Sequence, residues 1–149
     1  MKITDAFLGE HGVLYAQFDR LEEALPTEDR IEVLRGKASL LGAALAPHAR
    51  LEDDLLFAAV EEKAGTGFGP VSTMRAEHEE IEGALRSVAD ASDPKRARET
   101  LLEVILLARS HFLKEERVAF PLAEEVLGAE NLERLGEEWA RARGVVLAS

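Results

Sequence analysis

Apolar residues recur along most of the chain at alternating steps of three and four positions, the spacing of one face of an α-helix. Five stretches carry this spacing: about residues 4–25, about 29–63, a stretch from Pro70, a stretch from Asp93-Pro94 and about 131–143. Pro26 ends the first, and Asp93-Pro94 is a cap followed by a first-turn proline. The pattern predicts four long helices and a short C-terminal one.

Short connections between long helices place consecutive helices side by side and antiparallel. We therefore expect an all-α fold, an up-down-up-down antiparallel four-helix bundle over about residues 4–127. The short helix at about 131–143 is expected to pack across the bundle end. A chain of 149 residues fits one domain, so we expect a single domain over residues 1–149.

Two prolines fall inside these predicted helices. Pro47 predicts a kink or break just before His48, because proline lacks the amide hydrogen and its ring clashes with the preceding turn. Pro121 is expected to interrupt the later part of the fourth helix. The apolar seam of the second helix runs on through Leu55 and Ala59, and that of the fourth helix runs on through Val118 and Leu122.

Composition narrows the possible chemistry. Apolar residues make up 46 % of the chain, and the net charge is −11, which argues against binding nucleic acid or an anionic membrane. The start of the chain is not a signal peptide, and no apolar run approaches the roughly 18 residues that span a membrane, so we expect a cytoplasmic protein. There is no cysteine, so any tightly bound metal must use His, Asp and Glu.

All four histidines lie on core-facing seams, one on each long helix: His11, His48, His78 and His111. A single core histidine is usually structural. Four that converge from four helices instead favour a shared site in the bundle core.

Carboxylates on the same seams strengthen this hypothesis. Glu52 and Glu115 occupy positions where a bundle core normally has leucine, and a buried unpaired carboxylate is costly unless it binds a cation. Each follows a histidine by four residues and so lies one turn further on the same helix face. Glu82 repeats the spacing after His78 but flanks its seam. The alternative is that these glutamates lie on the surface of a metal-free helical bundle.

Rival motifs are excluded. The segment from His78 to Glu82 resembles the HExxH motif of zinc proteases but has Glu in place of the second histidine. Ferritin-like di-iron proteins use Glu three residues before His, whereas positions 45, 75 and 108 are Leu, Arg and Ala.

An internal repeat relates the two halves of the chain. The segment HARLEDDLLFAAVEE, starting at His48, aligns with HFLKEERVAFPLAEE, starting at His111, and each is preceded by a Glu-His pair. This ordered set resembles the hemerythrin-like (HHE cation-binding) family over about residues 5–127.

The resemblance implies an antiparallel four-helix bundle that holds two iron ions joined by an oxo or hydroxo bridge. Carried over by position, Glu52 and Glu115 would bridge the metals. The pair His11 and His48 would complete one iron, and the pair His78 and His111 the other. The oxygen carriers of the family have a fifth histidine where this chain has Glu82, a departure that argues against reversible oxygen transport and makes Glu82 a candidate seventh ligand.

Three functions follow from these residues. The favoured one is a binding module whose iron site binds or senses oxygen, nitric oxide or peroxide, or holds iron; manganese or zinc would also suit imidazole and carboxylate ligands. The second is a di-iron oxidase, peroxidase or iron-donating repair enzyme. The third is a metal-free helical interaction protein. The residues do not identify a protein partner.

Overall fold

The computed structural model describes residues 1–147, which contain five helices and no strand. Helix α1 is Ile3–Ala24, α3 is Gly69–Ala89 and α5 is Ala129–Arg143. Helix α2 (residues 31–64) joins Ile31–Leu51, Glu52–Phe57 and Ala58–Ala64. Helix α4 (residues 94–127) joins Pro94–Lys114, Glu115–Ala119 and Phe120–Leu127. The all-α prediction is confirmed, and none of these helices is both long and apolar enough to cross a membrane.

Two apolar clusters make up the core and show how the helices run. One joins the later halves of α1 and α3 to the earlier halves of α2 and α4, with Phe18, Leu85, Leu41 and Leu101 among its members. The other joins the opposite halves, with Phe7, Met74, Leu56 and Phe120. Consecutive long helices therefore run antiparallel, as predicted from the short connections. A thin polar layer lies between the two clusters.

Helices α2 and α4 each contain a π-helical segment, Glu52–Phe57 and Glu115–Ala119. A π turn accommodates one more residue than an α turn, so every residue after it moves to a different position around the helix. Leu56 and Val60 are accordingly buried, at 0 % and 1 % exposure, whereas Leu55 and Ala59 are only partly buried. The seam predicted through Leu55 and Ala59 is wrong by one residue.

The same shift occurs in α4. Val118 is 53 % exposed, while Ala119 and Ala123 are buried. The predicted continuation of the seam through Val118 and Leu122 is therefore wrong as well. In both helices the change of phase begins at the glutamate that follows the core histidine by four residues.

The break predicted before His48 is absent, since α-helix continues through Pro47 to Leu51. Proline removes one backbone hydrogen bond, and the burial of Leu45, His48 and Ala49 holds the helix together on both sides of it. Pro121 also lies inside α-helix, directly after the π segment.

Helix α5 follows α4 after a single residue, Gly128, whose φ of 75° is the left-handed region that glycine adopts freely. It packs on α1 and on the end of α4 through Leu132, Leu135 and Ala140, all buried. Gly136 lies so close to the backbone of Met1 that a larger residue would overlap it. The predicted short C-terminal helix is therefore present and lies against the bundle.

Two alanine substitutions at neighbouring leucines test the change of phase in α2. We expect Leu56→Ala to cost about 2–5 kcal/mol of unfolding free energy, because it leaves a cavity in the core. Leu55→Ala, one residue away, should cost clearly less, since Leu55 is only partly buried. Chemical denaturation of both variants measures the difference. The reverse order would mean that α2 continues without a π turn.

Candidate metal centre

The polar layer between the two apolar clusters consists of six buried residues, each no more than 5 % exposed: His11, His48, Glu52, His78, His111 and Glu115. We call them the central cluster. Helices α1 and α3 each contribute one histidine, and α2 and α4 each contribute a histidine and a glutamate. Within the cluster, two overlapping sets of four residues have ligand atoms within 4.8 Å of one another, and Glu52 and Glu115 belong to both sets.

The two glutamates lie between two pairs of histidines. One oxygen of Glu52 is 3.3 Å from Nε2 of His48 and 3.7 Å from Nε2 of His11, and the other is 3.3 Å from Nε2 of His78. One oxygen of Glu115 is 3.3 Å from Nε2 of His11. Its other oxygen is 3.1 Å from Nε2 of His111 and 3.7 Å from that of His78. Each carboxylate thus presents one oxygen to each histidine pair.

Most of these facing atoms have no hydrogen-bond partner. Six are buried without one: both oxygens of Glu52, both oxygens of Glu115, and Nε2 of His78 and of His111. Buried polar groups in folded proteins are nearly always satisfied, and each exception calls for an explanation. The four carboxylate oxygens and the imidazole nitrogens are directed at a common centre. Bound cations would be suitable partners for these atoms.

In the metal-free protein the facing carboxylates favour the protonated form of His11 and of His78. Burial lowers the pKa of His11, but the facing carboxylates of Glu115 and Glu52 outweigh burial and raise it to about 10. Burial likewise lowers the pKa of His78, and Asp53 with the two central glutamates raises it to about 11. The pKa of Glu115, which burial raises, is held well below its usual range by His11, His111 and His78. Metal binding must therefore displace protons.

Every histidine of the central cluster has a carboxylate on its outward-facing nitrogen. The Nδ1 atoms lie 2.6–3.1 Å from these oxygens: His11 to Glu116, His48 to Glu10, His78 to Asp53 and His111 to Glu77. We call these four acids the outer carboxylates. An Nδ1–H that donates outward leaves the lone pair of Nε2 directed at the centre, which is the tautomer that binds a metal.

The outer carboxylates form a closed ring around the bundle. Each is supplied by one long helix and accepts from the histidine of the next: α1 to α2, α2 to α3, α3 to α4, and α4 back to α1. Sequence reasoning did not assign them this role. The signal was present, because each lies next to a central residue in the chain, in the pairs Glu10-His11, Glu52-Asp53, Glu77-His78 and Glu115-Glu116.

A further set of donors holds the outer carboxylates. Glu116 accepts from the hydroxyl of Tyr15 at 3.0 Å, and burial together with that carboxylate raises the pKa of Tyr15 to about 12. Glu77 is paired with Lys114, and Asp53 lies 3.6 Å from Arg75. Burial raises the pKa of Glu10, but hydrogen bonds from His48 and Arg143 outweigh it and lower the pKa to about 2. These donors thus hold the acids that orient the histidines in place.

The amino-acid sequence of this chain matches the model of one known protein family. A family model described as the Hemerythrin HHE cation binding domain matches residues 2–123. This chain belongs to that family. A search of curated proteins and of solved structures gives no match. The family is a cation-binding one, and the central cluster lies wholly within the residues matched.

Glu82 does not join the central cluster of this HHE domain. Its side chain is 37 % exposed and pairs with Arg86 at 3.3 Å, beside a groove between α2 and α3. Helix α3 is regular throughout, so Ile81 and Leu85 take the core-facing positions and Glu82 lies to one side of them. The sequence-based expectation of a seventh ligand therefore has no support in the placement of Glu82.

The same substitution at two glutamates tests this placement. Glu82→Gln should leave the number of bound metal ions unchanged, because its side chain lies outside the central cluster. Glu115→Gln should lower that number, because it removes one of the two charges shared by both histidine pairs. Metal analysis after exhaustive dialysis measures both. If Glu82→Gln binds fewer metal ions than the wild type, Glu82 is a metal ligand after all.

The metal-free protein should become less stable as the pH rises. Its raised histidine pKa values, about 10 for His11 and about 11 for His78 against the ordinary 6.5, give stabilisation that is complete below about pH 6.5. That stabilisation is lost as the pH rises through about 10 to 11. Metal replaces these protons, so the loaded protein should show a much flatter profile. Denaturation of both forms between pH 6.5 and 10 measures the slopes, and equal slopes would contradict the protonated cluster.

Proposed function

We propose that this HHE domain binds two iron ions in the central cluster and acts as a cytoplasmic binding module for a small diatomic molecule or peroxide, or as a store of iron. The observation that carries the proposal is the division of the donors into two sets. One contains His11 and His48, the other His78 and His111, and one oxygen of each glutamate faces each set. One ion would leave half of these atoms without a partner.

The chemistry of the donors supports iron. Four neutral imidazoles and two carboxylates suit iron, with manganese and zinc as the other candidates. Two divalent cations bring four positive charges, of which Glu52 and Glu115 neutralise two. Two nitrogens and two carboxylate oxygens for each ion leave positions for an added ligand, and bound iron would supply reversible electron exchange with it.

The surroundings of the site favour a small ligand. The residues of the central cluster are at most 5 % exposed, and apolar residues lie above and below them. Within residues 1–147 no side chain of the cluster is open enough to meet a bulky substrate. A diatomic molecule or peroxide meets this steric limit. This favours a binding or sensing role over an enzyme that acts on a larger organic substrate.

Metal analysis and absorption spectroscopy test the proposal together. Protein purified without chelator should contain close to two iron ions per chain. Its near-ultraviolet absorption should change when nitric oxide or peroxide is added. Steady turnover of oxygen or peroxide would favour the enzyme instead. A protein that takes up one ion or none from iron, manganese and zinc would overturn the dinuclear proposal.

A further inference from the structure

Glu10 differs from the other outer carboxylates in the origin of its donors. Tyr15, Arg75 and Lys114, which hold the other three, all belong to the long helices of the bundle. Glu10 is held from α5. One of its oxygens accepts from Nε of Arg143 at 2.7 Å and from the indole nitrogen of Trp139 at 3.0 Å.

The other oxygen of Glu10 belongs to the metal centre. It lies 2.6 Å from Nδ1 of His48, whose Nε2 faces Glu52. A continuous chain of polar contacts therefore runs from the last turn of α5 through Glu10 to His48. Helix α5 also lies beyond residue 123, where the family match ends, so the two donors to Glu10, Trp139 and Arg143, come from outside the matched segment.

We propose that the last turn of α5 positions His48 through Glu10 and thereby strengthens one of the two metal positions, the one between His11 and His48. The inference rests on the proposed function, because it requires metal in the central cluster. The link is selective: Glu10 contacts neither His78 nor His111 within hydrogen-bond or ion-pair distance in residues 1–147. Trp139 and Arg143 are thus positioning residues that do not touch the metal themselves.

The coupling between metal binding and the docking of α5 must act in both directions. If the docked last turn of α5 tightens metal binding at one position, metal at that position must tighten the docking of the turn by the same factor. Apolar packing of Leu132 and Leu135 holds the earlier part of α5 regardless of metal. The response is therefore expected at residues 139–143, which carry a metal-dependent signal to the protein surface.

Stepwise titration with cobalt(II), followed by absorption, tests the effect on the site. Partners that orient histidine ligands typically change metal affinity by about 10- to 100-fold. Arg143→Met should weaken one of the two binding steps by roughly 10-fold and leave the other unchanged. Trp139→Phe keeps an aromatic ring at this position but loses the N–H donor, and it should weaken the same step.

The chain offers a mirror variant and a matched control. Lys114→Met removes the donor of Glu77, on the side of His111, and should weaken the other step. The double variant with Arg143→Met should therefore weaken both. Arg134→Met breaks an exposed ion pair to Glu138 on α5, neither member of which hydrogen-bonds Glu10, and should change neither step.

Spectroscopy and hydrogen exchange provide readouts that a general loss of stability would not reproduce. Trp139 is the only tryptophan, so its fluorescence should change with the step that Arg143→Met weakens and not with the step that Lys114→Met weakens. Metal should slow amide exchange at residues 139–143 in the wild type and much less in Arg143→Met.

The outcomes separate the two proposals. A protein that binds no metal overturns the proposed function. Two binding steps that Arg143→Met leaves unchanged would overturn the inference alone, as would equal weakening of both steps together with a lowered melting temperature. A double variant in which only one step weakens would also overturn it, because both donors would then act on the same position.

Discussion

Two buried carboxylates without hydrogen-bond partners determine the organisation of this bundle. Glu52 and Glu115 are 0 % exposed and lie between two apolar clusters, where an unpaired charge costs several kcal/mol. The four histidines, one on each long helix, offset the cost of burying these two charges. Their side chains must meet at one level, and this requirement divides the apolar core into two parts.

The outer carboxylates turn this layer into an interlocking ring. Each long helix supplies a histidine to the centre and an acid to the histidine of the next helix. Rotation of any one helix would therefore disturb two links at once, its own histidine and that of its neighbour. The orientation of the four imidazoles is thus a property of the whole bundle, and the inward Nε2 atoms depend on acids that never face the centre.

The π turns serve the same layer. Each begins at a central glutamate and contains the acid that follows it, so that Glu52 and Asp53 lie in one wide turn, as do Glu115 and Glu116. One residue of each pair faces the centre while the other reaches the histidine of the next helix. The central cluster, the ring of outer carboxylates and the change of phase in α2 and α4 therefore depend on the same two π turns. π turns inside α-helices are frequent at functional sites.

The sequence alone determined much of this protein. Apolar spacing predicted the helices and their antiparallel order, because the amphipathic period depends only on local geometry. The positions of the four histidines and of Glu52 and Glu115 on those seams predicted the central cluster, and the structure brings these six side chains together. These inferences needed no knowledge of how neighbouring helices are rotated.

What depended on neighbouring helices was decided only by the tertiary structure. The π turns moved the core from Leu55 to Leu56 and from Val118 to Ala119, and no local pattern shows where a helix takes in an extra residue. Glu82 repeats the His-x-x-x-Glu spacing yet lies outside the cluster, since Ile81 and Leu85 take the core-facing positions of the regular helix α3. The acids that orient the histidines sit one residue away from central positions. Only the packing of each helix against the next decides which histidine they reach.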